Sequence, residues 1–360
     1  MIELLTRLCA LERSSAPLPE LKDSEAETLS VLAAKQQVAG WLTYRLSTDY
    51  TDWAGTQKLL PLLRNSALAT VIHNAHLMGV ARDICEKLKG FDTVLLKGSA
   101  LIDSPYYKDI SHRYAGDIDI WVEPSRTHEA RDILVAAGAD EGNYTGPKES
   151  VYHSHLPGIT YKGMYVELHQ RLFDENLKWD LPGKPSDHII EWHGRRMLNE
   201  QAMFHHLVMH AYKHYDATQV TLRWIVDIAI LLKNCKEPKK LIDFSKSITP
   251  DADKAQKWAI GVAIELLPTE RAAQLKQMGY EALPFSQNYT KGGQSDSTFK
   301  AHAFVRILRG AWIEIKAAHG MKAKLAAAKE LIRYEIQRTR SRYPDNCLIV
   351  ALAKRIFIRI

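Results

Sequence analysis

No stretch of this chain is apolar for long enough to cross a bilayer, and its start, Met-Ile-Glu-Leu-Leu-Thr-Arg, carries an acid where a secretory leader carries a basic run. The protein is therefore expected in the cytoplasm, without a membrane span. Cysteine is scarce: Cys9, Cys85, Cys235 and Cys347 are scattered and form no Cys-x-x-Cys pair. That argues against a zinc ribbon or a disulfide framework and fits buried, reduced thiols. Low-complexity segments are missing, and so is any internal repeat, which sets aside long disorder and solenoids. Aromatic residues are not interleaved with the basic ones, so no track for single-stranded nucleic acid is visible and polymer extension is not favoured.

What is present is the composition of a globular protein. With 46% hydrophobic and 25% charged residues over 360 positions, the chain can bury two cores, or one core with a helical extension on each side. The net charge of +6 is unevenly placed, since residues 301–360 hold 13 Lys plus Arg against 4 Asp plus Glu. Such a tail attracts nucleotide phosphates, an acidic partner or nucleic acid alike, and a solvated helix face accounts for it equally well.

The texture divides the chain into 1–90, 91–195 and 196–360. The first segment reads as helices, with apolar residues at helical spacing through Val31, Ala34 and Val38, then Leu59, Leu63, Leu68, Ile72, Leu77, Val80 and Ile84. No chemistry is visible there. In the middle segment Val94-Leu95-Leu96 predicts a strand, stopped by Lys97-Gly98-Ser99 and followed by a helix at Ala100-Leu101-Ile102. Ile118, Ile120 and Val122 predict a second strand, Thr127 to Ala137 a helix closed by Gly138, and Met164 to Leu168 a third strand. Gly146-Pro147 and Pro157-Gly158 mark turns between them. The last segment predicts helices over Gln201–Asn234, Asp251–Leu267 and Thr298–Arg340, with Pro284–Ser297 as a linker or lid. The fold class is α+β: a small mixed sheet flanked by helical regions.

The strongest local signal is Gly116-Asp117-Ile118-Asp119-Ile120-Trp121-Val122. In a strand this alternation puts Asp117 and Asp119 on one face and the apolar residues on the other. Two carboxylates so close repel unless a cation sits between them, and a hard divalent metal is the natural occupant. Taken alone, Asp-x-Asp fits a solvated edge strand equally well. About twenty residues upstream, the Lys97-Gly98-Ser99 turn leaves backbone N–H groups and the Ser99 hydroxyl to meet an anion, with the Lys97 charge beside them. A simple helix start explains Gly98-Ser99 too.

Lys97-Gly98-Ser99, then Arg113, then Asp117-Ile118-Asp119-Ile120 resembles the uncharacterised nucleotidyltransferase family of the DNA polymerase β superfamily. In that superfamily a Gly-Ser turn precedes an Asp-x-Asp strand, and a third acid arrives from a later strand. The third acid here is Glu167, in Tyr165-Val166-Glu167-Leu168-His169. The likeness runs from about Val94 to Leu232 and takes in His210, His214, Arg223 and Asp227. The gap between the turn and Asp117 is longer than in the most compact members, and the inserted segment, Asp103 to Ala115, is a candidate cover for the nucleotide.

The resemblance implies transfer of a nucleoside monophosphate from an NTP to a hydroxyl of a small-molecule, peptide or protein acceptor, with release of pyrophosphate. It implies Mg²⁺, or Mn²⁺, on Asp117, Asp119 and Glu167, with Glu167 also on the acceptor side. Lys97, Gly98, Ser99 and Arg113 would meet the phosphates, with His210 and His214 lining the nucleotide cleft.

Other readings compete. His206, His210 and His214 recur every four residues on one helix face, and two of them with His153 or His155 would make a zinc site. Arg223 and Asp227, one turn apart, read as a helix-surface or interdomain ion pair. An Asp-x-Asp also serves glycosyltransferases that hold Mn²⁺ and a nucleotide sugar, although the Lys-Gly-Ser turn, the helical flanks and the small sheet speak against that class. A non-catalytic regulator that binds nucleotide, RNA or a partner has less reason to keep three repelling acids.

Overall fold

The computed structural model describes residues 1–141, 154–174, 177–182, 185–216 and 220–286. The readings placed on Gly146-Pro147, His153, Cys347, the Thr298–Arg340 helix, the basic tail and most of the Pro284–Ser297 loop lie outside these residues.

Four helices lead the chain: α1 (Ile2–Cys9), α2 (Asp23–Lys35), α3 (Ala39–Thr48) and the long α4 (Ala54–Lys87). The sheet then begins with β1 (Val94–Leu96), the single turn α5 (Lys97–Leu101), β2 (Ile118–Trp121), α6 (Thr127–Ala136), β3 (Ile159–Tyr161) and β4 (Met164–His169). A hairpin of β5 (Ile189–Trp192) and β6 (Arg195–Leu198) completes it, followed by α7 (Glu200–Asp216), α8 (Leu222–Asn234), α9 (Pro238–Ile248), α10 (Asp251–Ala263) and α11 (Thr269–Gln277).

The six strands run in the order β3-β4-β2-β1-β6-β5. Pairs β1/β6 and β2/β4 are parallel and the rest antiparallel, so the sheet is mixed, as expected for an α+β fold. Its central strands β1 and β2 are buried throughout, which suits Val94-Leu95-Leu96 and Ile118-Asp119-Ile120-Trp121 to positions covered on both faces. Both hairpins close through two-residue loops with positive φ at each position, Lys162 (48°) with Gly163 (78°) and His193 (48°) with Gly194 (73°). That pairing matches the twist of the flanking strands.

The pattern read as one helix over Gln201–Asn234 is two, α7 and α8, packed against each other. Thr221 has extended backbone at the start of α8, and Gln36 Oε1 accepts the Leu222 N–H. That contact draws the C-terminal helices onto the N-terminal ones. The boundary drawn at residue 195 falls at the first residue of β6, the parallel neighbour of β1.

On α4, Leu59, Leu63, Leu77, Val80 and Ile84 are buried as their spacing predicts, but Leu68 and Ile72 are exposed. Between Leu63 and Leu77 the buried positions are polar, Thr70 and Asn74. Asn74 donates through Nδ2 to the carbonyls of Ile110 (2.6 Å) and Arg113 (2.7 Å), and its Oδ1 accepts from the Ala115 N–H (3.3 Å). This face of α4 therefore grips the Asp103–Ala115 segment by hydrogen bonds where an apolar contact was expected. From the other side, Gly40 of α3 lies so close to the Ser111 carbonyl that no Cβ fits between them.

Candidate active site

The parallel register of β2 and β4 sets Asp119 directly across from Glu167. Residues on adjacent strands at one register lie about 5 Å apart, so the two carboxylates share a face and repel. Asp117, just before β2, has the same parity and brings a third acid to that face. Asp119 and Glu167 bring carboxylate oxygens within 4.8 Å of one another, and Asp117 lies near enough to feel both charges.

Two cations hold this arrangement. Asp119 is fully buried, and its Oδ1 accepts from Lys97 Nζ at 2.7 Å and lies 2.8 Å from His169 Nε2. Its other oxygen, Oδ2, is buried without a hydrogen-bond partner. Burial by itself raises an aspartate, yet Lys97 and His169 hold Asp119 below its ordinary value, so it is ionised and His169 Nε2 carries the proton between them. Burial also works against the Lys97 charge, and Asp119, with Glu167 behind it, outweighs burial and raises the ammonium. Glu167 is held well below its usual range, against burial, by His155, by His169 beside it and by Lys97. Asp117 goes the other way, because burial and the neighbouring Asp119 push it up to about 6.

His169, read from the sequence as flanking the third strand and a candidate to touch phosphate or metal-bound water, lies against the acids themselves. It sits two residues past Glu167 on the same face of β4, bridging Asp119 and Glu167, whose Oε2 is 3.6 Å from its Nε2. The signal was present in the alternation Glu167-Leu168-His169.

Lys97 reaches Asp119 from a left-handed backbone, φ 47°, at the turn between β1 and α5. Gly98 follows because a Cβ there would strike the Arg113 guanidinium and the side chain of Ala115. Ser99, expected to turn its hydroxyl toward an anion, is fully buried instead, with Oγ 2.8 Å from the Leu96 carbonyl and 3.2 Å from that of Asp119. It ties the turn to β2.

Arg113 is also placed differently from the expectation. Its guanidinium is buried and grips Asp227 of α8 with both forks, Nε to Oδ1 at 3.1 Å and Nη2 to Oδ2 at 2.9 Å, while Nη1 donates to the Tyr114 carbonyl. The Tyr107 hydroxyl donates to the same carboxylate at 2.5 Å. The expected Arg223–Asp227 surface pair is thus replaced by a buried Arg113–Asp227 pair, which ties the inserted segment to the C-terminal helices.

His210 and His214 of α7 stand beside Trp224 of α8, with ring centroids 5.1 and 4.7 Å away. His205, by contrast, is a structural tie, engaged by Ser245 and by the Trp179 carbonyl. The helix-face histidines do not gather into a zinc site: among the described residues the one group of three close ligand atoms is that of Asp119, Glu167 and His169, all within 4.8 Å of one another.

The carboxylates of that group, with Asp117 outside it but close enough to be raised by Asp119, fit a divalent cation. Asp119 Oδ2 is a buried acceptor lacking a donor, Glu167 stays ionised, and Asp117 is an acid strained by its neighbour's charge, so a cation would satisfy all three. The oxygen-rich set suits a hard ion, and the Lys97 and His169 hydrogen bonds to Oδ1 orient the carboxylate that would bind it.

A small mixed sheet with acids on adjacent strands and a Lys-Gly-Ser turn against them defines the nucleotidyltransferase class of site. Residues 22–252 match the family described as uncharacterised nucleotidyltransferase, and the chain belongs to that family. No curated protein and no solved structure matches it. Membership implies an NTP substrate and a transferase. Among the described residues no helix is long and apolar enough to cross a membrane.

Proposed function

We propose that the protein is a Mg²⁺-dependent nucleotidyltransferase of the cytoplasm that moves a nucleoside monophosphate from an NTP to a hydroxyl of a small-molecule, peptide or protein acceptor. The observation that carries this reading is the pairing of Asp119 with Glu167 across two parallel strands, with Asp119 Oδ2 left unpartnered in a buried place. Asp117, Asp119 and Glu167 would hold the metal, with Mn²⁺ as the other candidate. When bound, such an ion neutralises phosphate charge and orients the triphosphate.

The residues supply the rest. Lys97 keeps Asp119 ionised and brings positive charge to the place where charge develops on the leaving pyrophosphate. His169 holds Asp119 and Glu167 in one orientation. Glu167, ionised, accepts the proton of the acceptor hydroxyl, whose oxygen forms the new bond to the α-phosphorus as the bond to pyrophosphate breaks. His210, His214 and Trp224 offer ring surface for the base.

The test is calorimetric binding of ATP, GTP, CTP and UTP, with UDP-glucose as control, with and without Mg²⁺. We expect at least one NTP to bind wild type only with the metal, and Asp117→Asn/Asp119→Asn to lose that binding while staying folded. Binding of the nucleotide sugar alone, or of nothing, refutes the assignment.

A further inference from the structure

The site read from the sequence gave the phosphates Arg113, and that guanidinium is spent on Asp227. The consequence falls on Arg223. Its helical neighbour one turn on, Asp227, is occupied by Arg113 and Tyr107, and among the described residues no carboxylate lies within ion-pair distance of Arg223. Its Nη1 donates to the Tyr114 carbonyl at 2.8 Å, and its Nε is buried with no partner. Tyr114 is three residues before Asp117, so this bond fixes the guanidinium at the end of β2 where the acids converge.

A half-buried guanidinium without a counter-charge is costly, since a charge taken from water needs an opposite partner or a full set of acceptors. Burial and the adjacent Arg113 push Arg223 down to about 10, with Asp227 and Asp117 opposing them, which is the signature of a cation short of anions. Unlike Arg113, which is 3% exposed, Arg223 keeps part of its surface open. Its unspent donors form a fork of the kind that meets phosphate oxygens.

We propose that Arg223 is the arginine that binds the polyphosphate of the NTP, on the Asp117 side of the cleft. This rests on the nucleotidyltransferase reading of the acids. Arg113 is then a positioning residue, which keeps Asp227 away from Arg223 and so leaves the latter's donors for the ligand.

The probes are Mg·ATP and Mg·tripolyphosphate, measured by calorimetry on the full chain. Arg223→Gln is expected to weaken both by about 10- to 100-fold, the loss of a charged hydrogen-bonded contact, with adenosine binding unchanged. Arg223→Lys should recover part of the loss. Because a buried substitution can unfold the chain, a second measurement uses wild type: phenylglyoxal should label Arg223 in free protein, Mg·tripolyphosphate should protect it, and Arg113 should stay unlabelled in both. Unchanged affinity in a folded Arg223→Gln, or labelling of Arg223 indifferent to tripolyphosphate, overturns the proposal while leaving the acids' role intact. If wild type binds neither Mg·tripolyphosphate nor any of the four NTPs with Mg²⁺, the nucleotidyltransferase reading itself falls, and this proposal with it.

Discussion

A lysine in left-handed backbone is a costly choice, because its Cβ crowds the carbonyl that follows, at about 1–2 kcal/mol. Lys97 makes that choice at φ 47°, one residue before a glycine that would have taken the conformation freely. The geometry explains why: only a long cationic side chain at this position reaches Asp119 Oδ1 from the turn. Strain is accepted for charge. The claim separates cleanly by comparing Lys97→Gly with Lys97→Ala, since both delete the ammonium and only glycine removes the crowding. Urea titration should find the glycine variant more stable than the alanine one by about 0.5–1 kcal/mol, the left-handed penalty less glycine's extra unfolded-state entropy. Equal stability would mean that the turn is relaxed. The same residues show what sequence can and cannot give at this scale. Asp117, Asp119 and Glu167 were legible because alternation fixes the face of a strand. The partners of Arg113 and Ser99 were not, because which acceptor a donor finds depends on a helix more than a hundred residues away in one case and on a turn's exact path in the other.

Among the elements, the long helix α4 carries the clearest lesson. Its apolar spacing predicted a continuous inward face, and the middle of that face is Asn74. Periodicity marks which residues avoid water, but it is blind to a buried amide that satisfies three backbone groups of a loop. The β5/β6 hairpin was missed for a related reason. Its strands are short and partly exposed, although His193-Gly194 between them was a readable turn. The role of Asn74 can be measured. Asn74→Ala would strand the carbonyls of Ile110 and Arg113 and the Ala115 amide, at a cost of about 2–4 kcal/mol. Chemical denaturation should show the loss, and hydrogen exchange at Ala115 should quicken by more than the global change accounts for. A loss under about 0.5 kcal/mol, the ordinary range for surface changes, would show the Asp103–Ala115 segment to be held by its other contacts, Arg113–Asp227 among them, and not by Asn74.

Across the whole molecule, one hydrophobic cluster runs from Leu4 to Phe285 and joins residues of the N-terminal helices, the sheet and the helices after it. The first and last described helices are tied as well, with the Leu11 N–H donating to the Leu266 carbonyl and Glu12 accepting from Thr269. Charge strain at the acids is therefore read in the stability of the described fold as a unit, which makes pH a probe of the site. Asp117, raised from 3.8 to about 6, binds its proton more tightly folded than unfolded, so its share of stability is present below about 3.8 and is lost as pH rises through about 6. Glu167, held low, works in the opposite sense, its share fully present above 4.5 and lost as pH falls, and His169, held high, loses its share as pH rises beyond 6.5. A comparison with Asp117→Asn removes these common contributions. In metal-free protein the melting temperature of wild type should fall relative to that variant between pH 4 and 7. Mn²⁺ should restore wild type above pH 6 and leave Asp117→Asn less affected, because a ligand of the folded state stabilises by mass action only where it binds. A melting-temperature difference that stays flat across this range would show that Asp117 is not confined beside Asp119 in the way the three-acid site requires.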